Sequence, residues 1–184
     1  ECARDGYSFC LANMPAMDMG KYDETNPRDF SVDDFALICN HVTDYNVLAI
    51  RNDETRFSDI ESIVTYSQDV APVLVGAAAT GITSDDATIL QKLHTELGLE
   101  YEIVPTGGSK DTETLFIQGN TDILIANVAD VTVAAKAGQY NVLCVFSEER
   151  SSMLPDVPAF AELGFDAEIV NFSARGYAYP KGVD

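Results

Sequence analysis

The sequence predicts an α/β fold in which a mostly parallel sheet is flanked by helices. Four candidate helices each end at a glycine, and short strands rich in Val, Ile and Leu lie between them. The glycines are Gly98, Gly119, Gly138 and Gly164, and glycine is the usual residue just after a helix. Strands that are apolar on both faces are typical of a parallel sheet covered by helices on both sides.

The first third of the chain contains three candidate strands and one helix. The strands are Tyr7–Leu11, Phe35–Asn40 and Tyr45–Ile50. Ser58 with Glu61 three residues later is a capping box, which predicts a helix running to about Ser67.

Strands and helices alternate regularly after residue 71. The predicted strands are Val73–Gly76, Glu102–Val104, Asp122–Ala126 and Val142–Phe146, followed by an extended segment at Glu168–Phe172. The predicted helices are one after Ser84, one around Leu115 and Phe116, and two at Val131–Ala137 and Ala159–Leu163. The first of these repeats apolar residues at helical spacing, which is typical of a helix with one buried face.

Composition excludes several functional classes. The 184 residues are 46% hydrophobic, enough for a folded core. The 30 acidic and 11 basic residues give a net charge of −19, which argues against binding to nucleic acid or to an anionic membrane. No apolar run reaches the roughly 18–20 residues of a membrane span.

No catalytic, metal or cofactor motif is evident. The four cysteines lack zinc-ligand spacing. The two histidines, His41 and His94, have no serine or cysteine at a nucleophile spacing, and no GxSxG sequence is present. The sequence therefore predicts no enzyme, no metal and no cofactor.

Three polar turns follow predicted strands and form the candidate ligand site. They are Thr80–Ser84, Thr106–Ser109 and Asn127–Asp130. Ligands of open α/β sheets bind at the carboxyl ends of strands, and a helix N-terminus there can hold a carboxylate. The alternative is that Ser84, Ser109 and Asp130 only cap their helices. The candidate ligand-binding residues in these turns are Thr80, Gly81, Thr83, Ser84, Thr106, Gly107, Gly108, Ser109, Asn127 and Asp130.

Several segments resemble one known family. Residues 104–109 (VPTGGS) resemble its VPYKGS turn, residues 119–127 resemble GGQVD…DN, and residues 136–138 match KAG. The most specific match is Ser147, Arg150 and Leu154–Pro158, which resemble SxxRxxxLPDVP. With these motifs the chain resembles the periplasmic solute-binding proteins of tripartite tricarboxylate transporters, the TctC or Bug family.

This resemblance implies a type II periplasmic-binding-protein fold of two lobes joined by crossing strands. Residues 1–41 would be part of the first lobe and a crossing segment, 42–172 the second lobe, and 173–184 the returning segment. It also implies truncation at both ends, so we expect the chain alone not to bind ligand tightly. The expected function is an extracytoplasmic receptor that closes on a small carboxylate and delivers it to membrane permease subunits. The alternative is a ligand-sensing regulatory domain or small enzyme on the same scaffold.

Acidic residues distinguish this sequence from the family pattern. Asp86 and Asp130 would place negative charge near the ligand, which opposes an anion unless a cation offsets it. Lys110 and Arg175 are the candidate cations, and the alternative for both is a solvated surface charge. The resemblance places Arg175 on the crossing segment, and it adds Asp86 and Arg175 to the candidate ligand-binding residues. We therefore expect a monocarboxylate, or a zwitterion whose ammonium meets Asp86, in preference to a polycarboxylate such as citrate.

Overall fold

The computed structural model describes residues 5–22, 28–78 and 84–182. Seven strands and five helices are assigned there, with short 3₁₀ turns between them. The strands are β1 (Cys10–Met14), β2 (Phe35–Arg51), β3 (Val73–Ala78), β4 (Tyr101–Thr106), β5 (Ile123–Asn127), β6 (Tyr140–Val145) and β7 (Phe172–Pro180). The helices are α1 (Ala16–Met19), α2 (Ile60–Asp69), α3 (Asp85–Leu97), α4 (Ser109–Ile117) and α5 (Val128–Lys136). The α/β class is confirmed.

The two strands predicted at Phe35–Asn40 and Tyr45–Ile50 form one continuous strand, β2. Its first part pairs with β7, from Phe35 to Tyr45, and its last part pairs with both β5 and β6. The polar residues between the predicted strands suggested a break, but β7 satisfies their backbone groups and the strand continues.

The sheet is mixed. β3 pairs in parallel with β4 and β5, as expected for strands joined by helices. β2 is antiparallel to β5, β6 and β7, and β1 is antiparallel to β7. The strand order is β1-β7-β2-β5-β3-β4, with β6 also on β2.

Two hydrophobic clusters cover the two faces of the central strands. Leu48 and Ile50 belong to one cluster, and Val47 and Ala49 belong to the other. Alternate residues of a strand point to opposite faces, so this part of β2 is buried on both sides. This burial on both sides explains why Val47–Ile50 is an uninterrupted apolar run in the sequence. A third, small cluster of Ala12, Met17 and Ala178 lies beside β1 and β7.

The sequence predicted the C-terminal ends of the helices more accurately than their first residues. Gly98 and Gly164 have φ of 76° and 79°, a left-handed conformation that favours glycine. The predicted capping box at Ser58 and Glu61 is wrong, because Asp59 and Ser62 form the box that begins α2. α5 begins at Val128, three residues before the predicted start. The predicted helix Ala159–Leu163 is a short 3₁₀ turn at Phe160–Leu163.

None of the helices in the described ranges has the length and apolar character that crossing a membrane requires.

Candidate ligand-binding site

Three parallel strands bring the predicted turns to one edge of the sheet. β4 ends at Thr106 and β5 ends at Asn127, each at the first residue of its predicted turn. β3 ends at Ala78, two residues before the predicted turn Thr80–Ser84, of which the described ranges include only Ser84. In strand order β3 lies between β5 and β4. Adjacent strands are about 4.8 Å apart, so the turn after β5 lies roughly 10 Å from the turn after β4.

Three buried asparagines form the floor of this edge. Asn46 of β2 is fully buried, and Asn127 at the end of β5 and Asn171 just before β7 are at most 7% exposed. The Asn171 side-chain amide donates to Oδ1 of Asn46 at 2.8 Å and to the main-chain oxygen of Asp85 at 2.9 Å. A buried amide must find partners for its polar atoms, and here these partners join β2, the β7 segment and α3.

Asp85, the first residue of α3, accepts two of these amides. Its Oδ2 lies 3.0 Å from Nδ2 of Asn127 and 3.2 Å from Nδ2 of Asn46. The Asn127 amide also lies 3.3 Å from the main-chain oxygen of Asp44 and 3.4 Å from Oγ of Ser173. Asp85 is therefore held as an acceptor by side chains from two strands.

Asp86 is next to this network but is held more weakly. Its Oδ1 is 3.5 Å from the same Asn46 nitrogen that contacts Asp85. Burial, together with the negative charges of Asp85 and Asp130, raises the Asp86 pKa to about 7. Asp86 therefore changes protonation near neutral pH.

Asp44 occupies the start of α5. Its Oδ1 accepts the backbone N–H of Ala129 at 3.2 Å, a place where a helix N-terminus could otherwise receive an anionic ligand. Burial raises the Asp44 pKa, and the charges of Asp130 and Asp85 add to this effect, whereas the Ala129 hydrogen bond and Arg175 oppose it.

Arg175 is the cation near this group. It lies on β7 opposite Val42 of β2 and Asn13 of β1, and it is partly exposed. Within the described ranges it makes no ion pair of 4.0 Å or less. Its charge acts on Asp44 and opposes the rise in the pKa of that carboxyl group.

A groove of about 620 Å³ begins at Asp44 and continues beside the loop after β6. Tyr45 and Phe172 form one wall, with their rings edge to face at 5.8 Å. Ser147 and Arg150, two residues of the family motif, also line the groove.

The structure places the predicted site residues in different surroundings. Asp86, Asn127, Asp130 and Arg175 belong to one electrostatic neighbourhood. Ser84 is the N-cap of α3, where its side chain accepts the Ala87 N–H at 3.1 Å.

The capping alternative is wrong for Ser109 and Asp130. Gly108 and Asn127 occupy the N-cap positions of α4 and α5, and neither makes a side-chain capping bond. Ser109 and Asp130 are both exposed. Their side chains are thus not needed to begin these helices.

The turn after β4 is separate from the asparagine network. The hydroxyl of Thr106 pairs with that of Thr112 at 2.8 Å, whereas Gly107 is exposed and Gly108 has a φ of 150°. Lys110 is exposed on the first turn of α4. Thr80, Gly81 and Thr83 lie outside the described residues.

Sequence reasoning missed Asp44, Asn46, Asp85 as a hydrogen-bonded acceptor, Asn171 and Ser173. Asn46 carried a usable signal, because it is a polar residue at the start of the apolar run Val47–Ile50. A polar side chain beside a buried strand must be hydrogen-bonded. Asn171 and Ser173 carried no comparable signal.

In residues 5–22, 28–78 and 84–182, no three His, Cys, Asp or Glu side chains are grouped so that they could hold one metal ion.

Comparison with known proteins defines the class. The family described as "Tripartite tricarboxylate transporter family receptor" matches residues 1–184, so the chain belongs to this receptor family. The protein BugT of Bordetella pertussis is 22% identical over 182 residues, which are 99% of this chain and 55% of BugT.

Solved structures agree on the fold. A protein of R. palustris with adipate has a TM-score of 0.83 and 20% identity, over 100% of this chain and 60% of the other. MatC from Rhodopseudomonas palustris with bound malate has a TM-score of 0.82 and 18% identity, over 99% of this chain and 61% of the other. The fold is therefore that of a periplasmic binding protein, and the chain spans 55–61% of the length of these relatives.

Proposed function

We propose that this protein is an extracytoplasmic solute receptor of a tripartite tricarboxylate-type transporter. It captures a small carboxylate-bearing solute and delivers it to membrane permease subunits. Membership of the receptor family over the whole chain supports this function. The observation that carries it is Arg175, a cation with no ion pair in the described residues, beside a hydrogen-bonded polar floor at the sheet edge.

The solute carboxylate is assigned to Arg175. Relatives of the same fold hold adipate and malate, which supports a carboxylate ligand here. Helix N-termini add to the attraction, but Asp44 already accepts an N–H at the start of α5. Arg175 is therefore the main candidate for the anion contact.

The acidic residues around Asp44 restrict the solute. Asp86 and Asp130 oppose a second or third negative charge. A monocarboxylate, or a zwitterion whose ammonium faces Asp86, therefore fits better than citrate.

A thermal-shift panel on the natural protein tests the receptor function. Monocarboxylates, adipate, malate, amino acids and citrate are compared. A ligand at a hundred times its Kd stabilises the folded state by about 2.7 kcal/mol, a readily measured shift. Absence of binding across the panel would contradict the proposal, and citrate as the best ligand would contradict the restriction on charge.

A matched pair of variants tests the anion contact. Arg175→Gln should weaken carboxylate binding at least tenfold, whereas Lys136→Gln, the same charge change at an exposed site on α5, should leave affinity within about twofold. Equal losses in both variants would show that net charge, and not a contact, is responsible.

Lobe closure and delivery are further parts of the proposal. A ligand that binds the closed form better shifts the protein toward it. Small-angle X-ray scattering of the natural protein should show a smaller radius of gyration with ligand. An unchanged radius at saturating ligand would contradict closure. Ligand-dependent association with the permease subunits in detergent tests delivery, and its absence would contradict that step.

A further inference from the structure

We propose that capture of a carboxylate lacking an ammonium group is coupled to the uptake of one proton by the acidic cluster. The acidic cluster consists of Asp44, Asp85, Asp86 and Asp130. The inference rests on the proposed receptor function and concerns the regulation of the same site by pH.

The carboxylates of the acidic cluster come from three elements, α3, α5 and β2. Asp85 is its neighbour on α3, Asp130 lies on the first turn of α5, and Asp44 lies on β2. Arg175 of β7 is the one cation among the groups that act on Asp44 and Asp86. Its charge acts on Asp44, whereas the charges that act on Asp86 are those of Asp85 and Asp130, so the group is short of positive charge.

The four carboxylates are not equally stabilised as anions. Oδ2 of Asp85 accepts two amides, from Asn127 and Asn46. Oδ1 of Asp44 accepts the Ala129 N–H at the start of α5. Hydrogen bonds to the charged form favour ionisation.

Asp86 receives only a 3.5 Å contact from Asn46, and Asp130 is exposed to water. Asp86 is therefore the member on which a proton is held most readily. The same burial and neighbouring charges place its pKa at about 7, so the proton is exchanged close to neutral pH.

A solute carboxylate adds one more negative charge to this group. Like charges favour the neutral form of a carboxyl group, so the bound anion makes protonation of Asp86 more favourable. The proton comes from solvent and forms the O–H bond of the Asp86 carboxylic acid. That O–H is a donor, and it can hydrogen-bond to the solute.

A solute with an ammonium group needs no such proton. Its positive charge offsets the acidic cluster directly, and Asp86 stays ionised. Malate and aspartate are a suitable pair of probes, since they differ in a hydroxyl and an ammonium group at the same carbon. Proton uptake is expected with malate and adipate and not with aspartate.

Calorimetry of the natural protein in buffers of different ionisation enthalpy counts the protons. At pH 7.5–8, malate or adipate binding should take up nearly one proton, and affinity should fall about tenfold per pH unit above pH 7. Asp86→Asn keeps the side-chain shape and should abolish both effects, with tighter binding than the wild type at pH 8. Glu96→Gln, which removes an exposed carboxylate near the other end of α3, should retain both.

The outcomes separate the two proposals. Binding of malate or adipate without proton uptake, or an unchanged pH slope in Asp86→Asn, overturns the coupling and leaves the receptor function standing. Failure of the whole solute panel overturns the receptor function. Carbon-13 NMR of the free protein is an independent check, because titration of the Asp86 carboxyl near pH 4 would overturn the coupling whatever the ligand.

Discussion

The side-chain amide nitrogen of Asn127 lies 3.0 Å from Oδ2 of Asp85. This bond ties the end of β5 to the first residue of α3. The same amide reaches the main-chain oxygen of Asp44 on β2 and Oγ of Ser173 on β7. A single side chain thus connects the elements that surround the candidate site.

Replacing Asn127 by Leu should destabilise the fold. The change leaves Asp85 with one amide donor fewer in a partly buried place, and an unsatisfied polar group of this kind costs about 1–3 kcal/mol. Urea unfolding at pH 7.5 measures the loss. Asn141→Leu, at an exposed position of β6, should change the free energy of unfolding by less than about 0.5 kcal/mol. A similar loss in both variants would argue against the network.

The raised pKa of Asp86 predicts how stability varies with pH. In the fold its pKa is about 7, against an ordinary value of 3.8, so the folded state binds this proton more tightly than the unfolded state. The Asp86 contribution is fully present below about pH 4 and is lost as pH rises to about 7.

Asp86→Asn should therefore remove a pH-dependent part of stability. The difference in unfolding free energy between wild type and variant should favour the wild type progressively more as pH falls from 7.5 to 4. Urea unfolding across this range measures it, with Glu148→Gln as the exposed carboxylate control. A pH-independent difference would show that Asp86 titrates normally.

The lowered pKa of Glu54 predicts a contribution to stability that is lost as pH falls, whereas the Asp86 contribution is lost as pH rises. Arg56 donates to Oε1 of Glu54 at 2.9 Å and to Oε2 at 2.6 Å, and it also reaches Asp122 at 2.7 Å. The side-chain hydrogen bond from Arg56 is the main reason that the Glu54 pKa falls to about 2. This stabilisation is present above pH 4.5 and is lost as pH falls toward 2.

Glu54→Gln should cost about 1–3 kcal/mol at pH 7, because hydrogen bonds to charged groups are worth roughly this much. The Glu54 side chain is 3% exposed, so water replaces the lost contact poorly. Asp18→Asn breaks an exposed ion pair with Lys21 and should cost less than about 0.5 kcal/mol. Chemical denaturation at pH 7 compares the two, and equal costs would contradict the importance of burial.

Gly176 lies where β7 pairs with β2, and the backbone of β2 leaves no room there for a side chain. A methyl group on Gly176 would collide with the main-chain oxygen of Cys39 and approach Cα of Asn40 at 3.3 Å. Gly176→Ala should separate the two strands and cost about 1–3 kcal/mol, as overpacking does. Thermal unfolding measures the loss. Ala36→Ser, at an exposed position of β2, is the control, and an unchanged melting temperature in Gly176→Ala would contradict the close approach.

Much of the fold could be predicted from local patterns. The apolar segments predicted at Val73–Gly76 and Asp122–Ala126 are β3 and β5 to within two residues at each end. Glycines with positive φ follow α3, α4 and α5. These signals are local, because burial on both faces and a left-handed residue each impose a residue type on one segment.

The continuity and direction of β2 were beyond local reasoning. Three of the four residues His41–Asp44 are polar, and all but Asp44 are exposed, so their sequence suggested a break. Pairing with β7, about 130 residues later in the chain, keeps them extended. An antiparallel neighbour at that separation leaves no periodic trace in either segment.

The candidate site was also predictable only in part: some residues were predicted from the sequence, and others became evident only in the structure. Local patterns predicted Asn127 and Asp130 as site residues, because both lie in a polar turn after a strand. The family resemblance added Asp86 at a helix start and Arg175 on a crossing segment, and the binding role of all four stays a prediction. The sequence by itself also determined the α/β class, the receptor family and the acidic charge, because motifs and composition are carried by single segments. Only the tertiary structure decided that Asn46, Asn127 and Asn171 meet around Asp85, and that Asp86 is left with the weakest hydrogen bond beside it. Hydrogen bonding and pKa depend on distances between residues far apart in the chain, and those distances exist only after the sheet has formed.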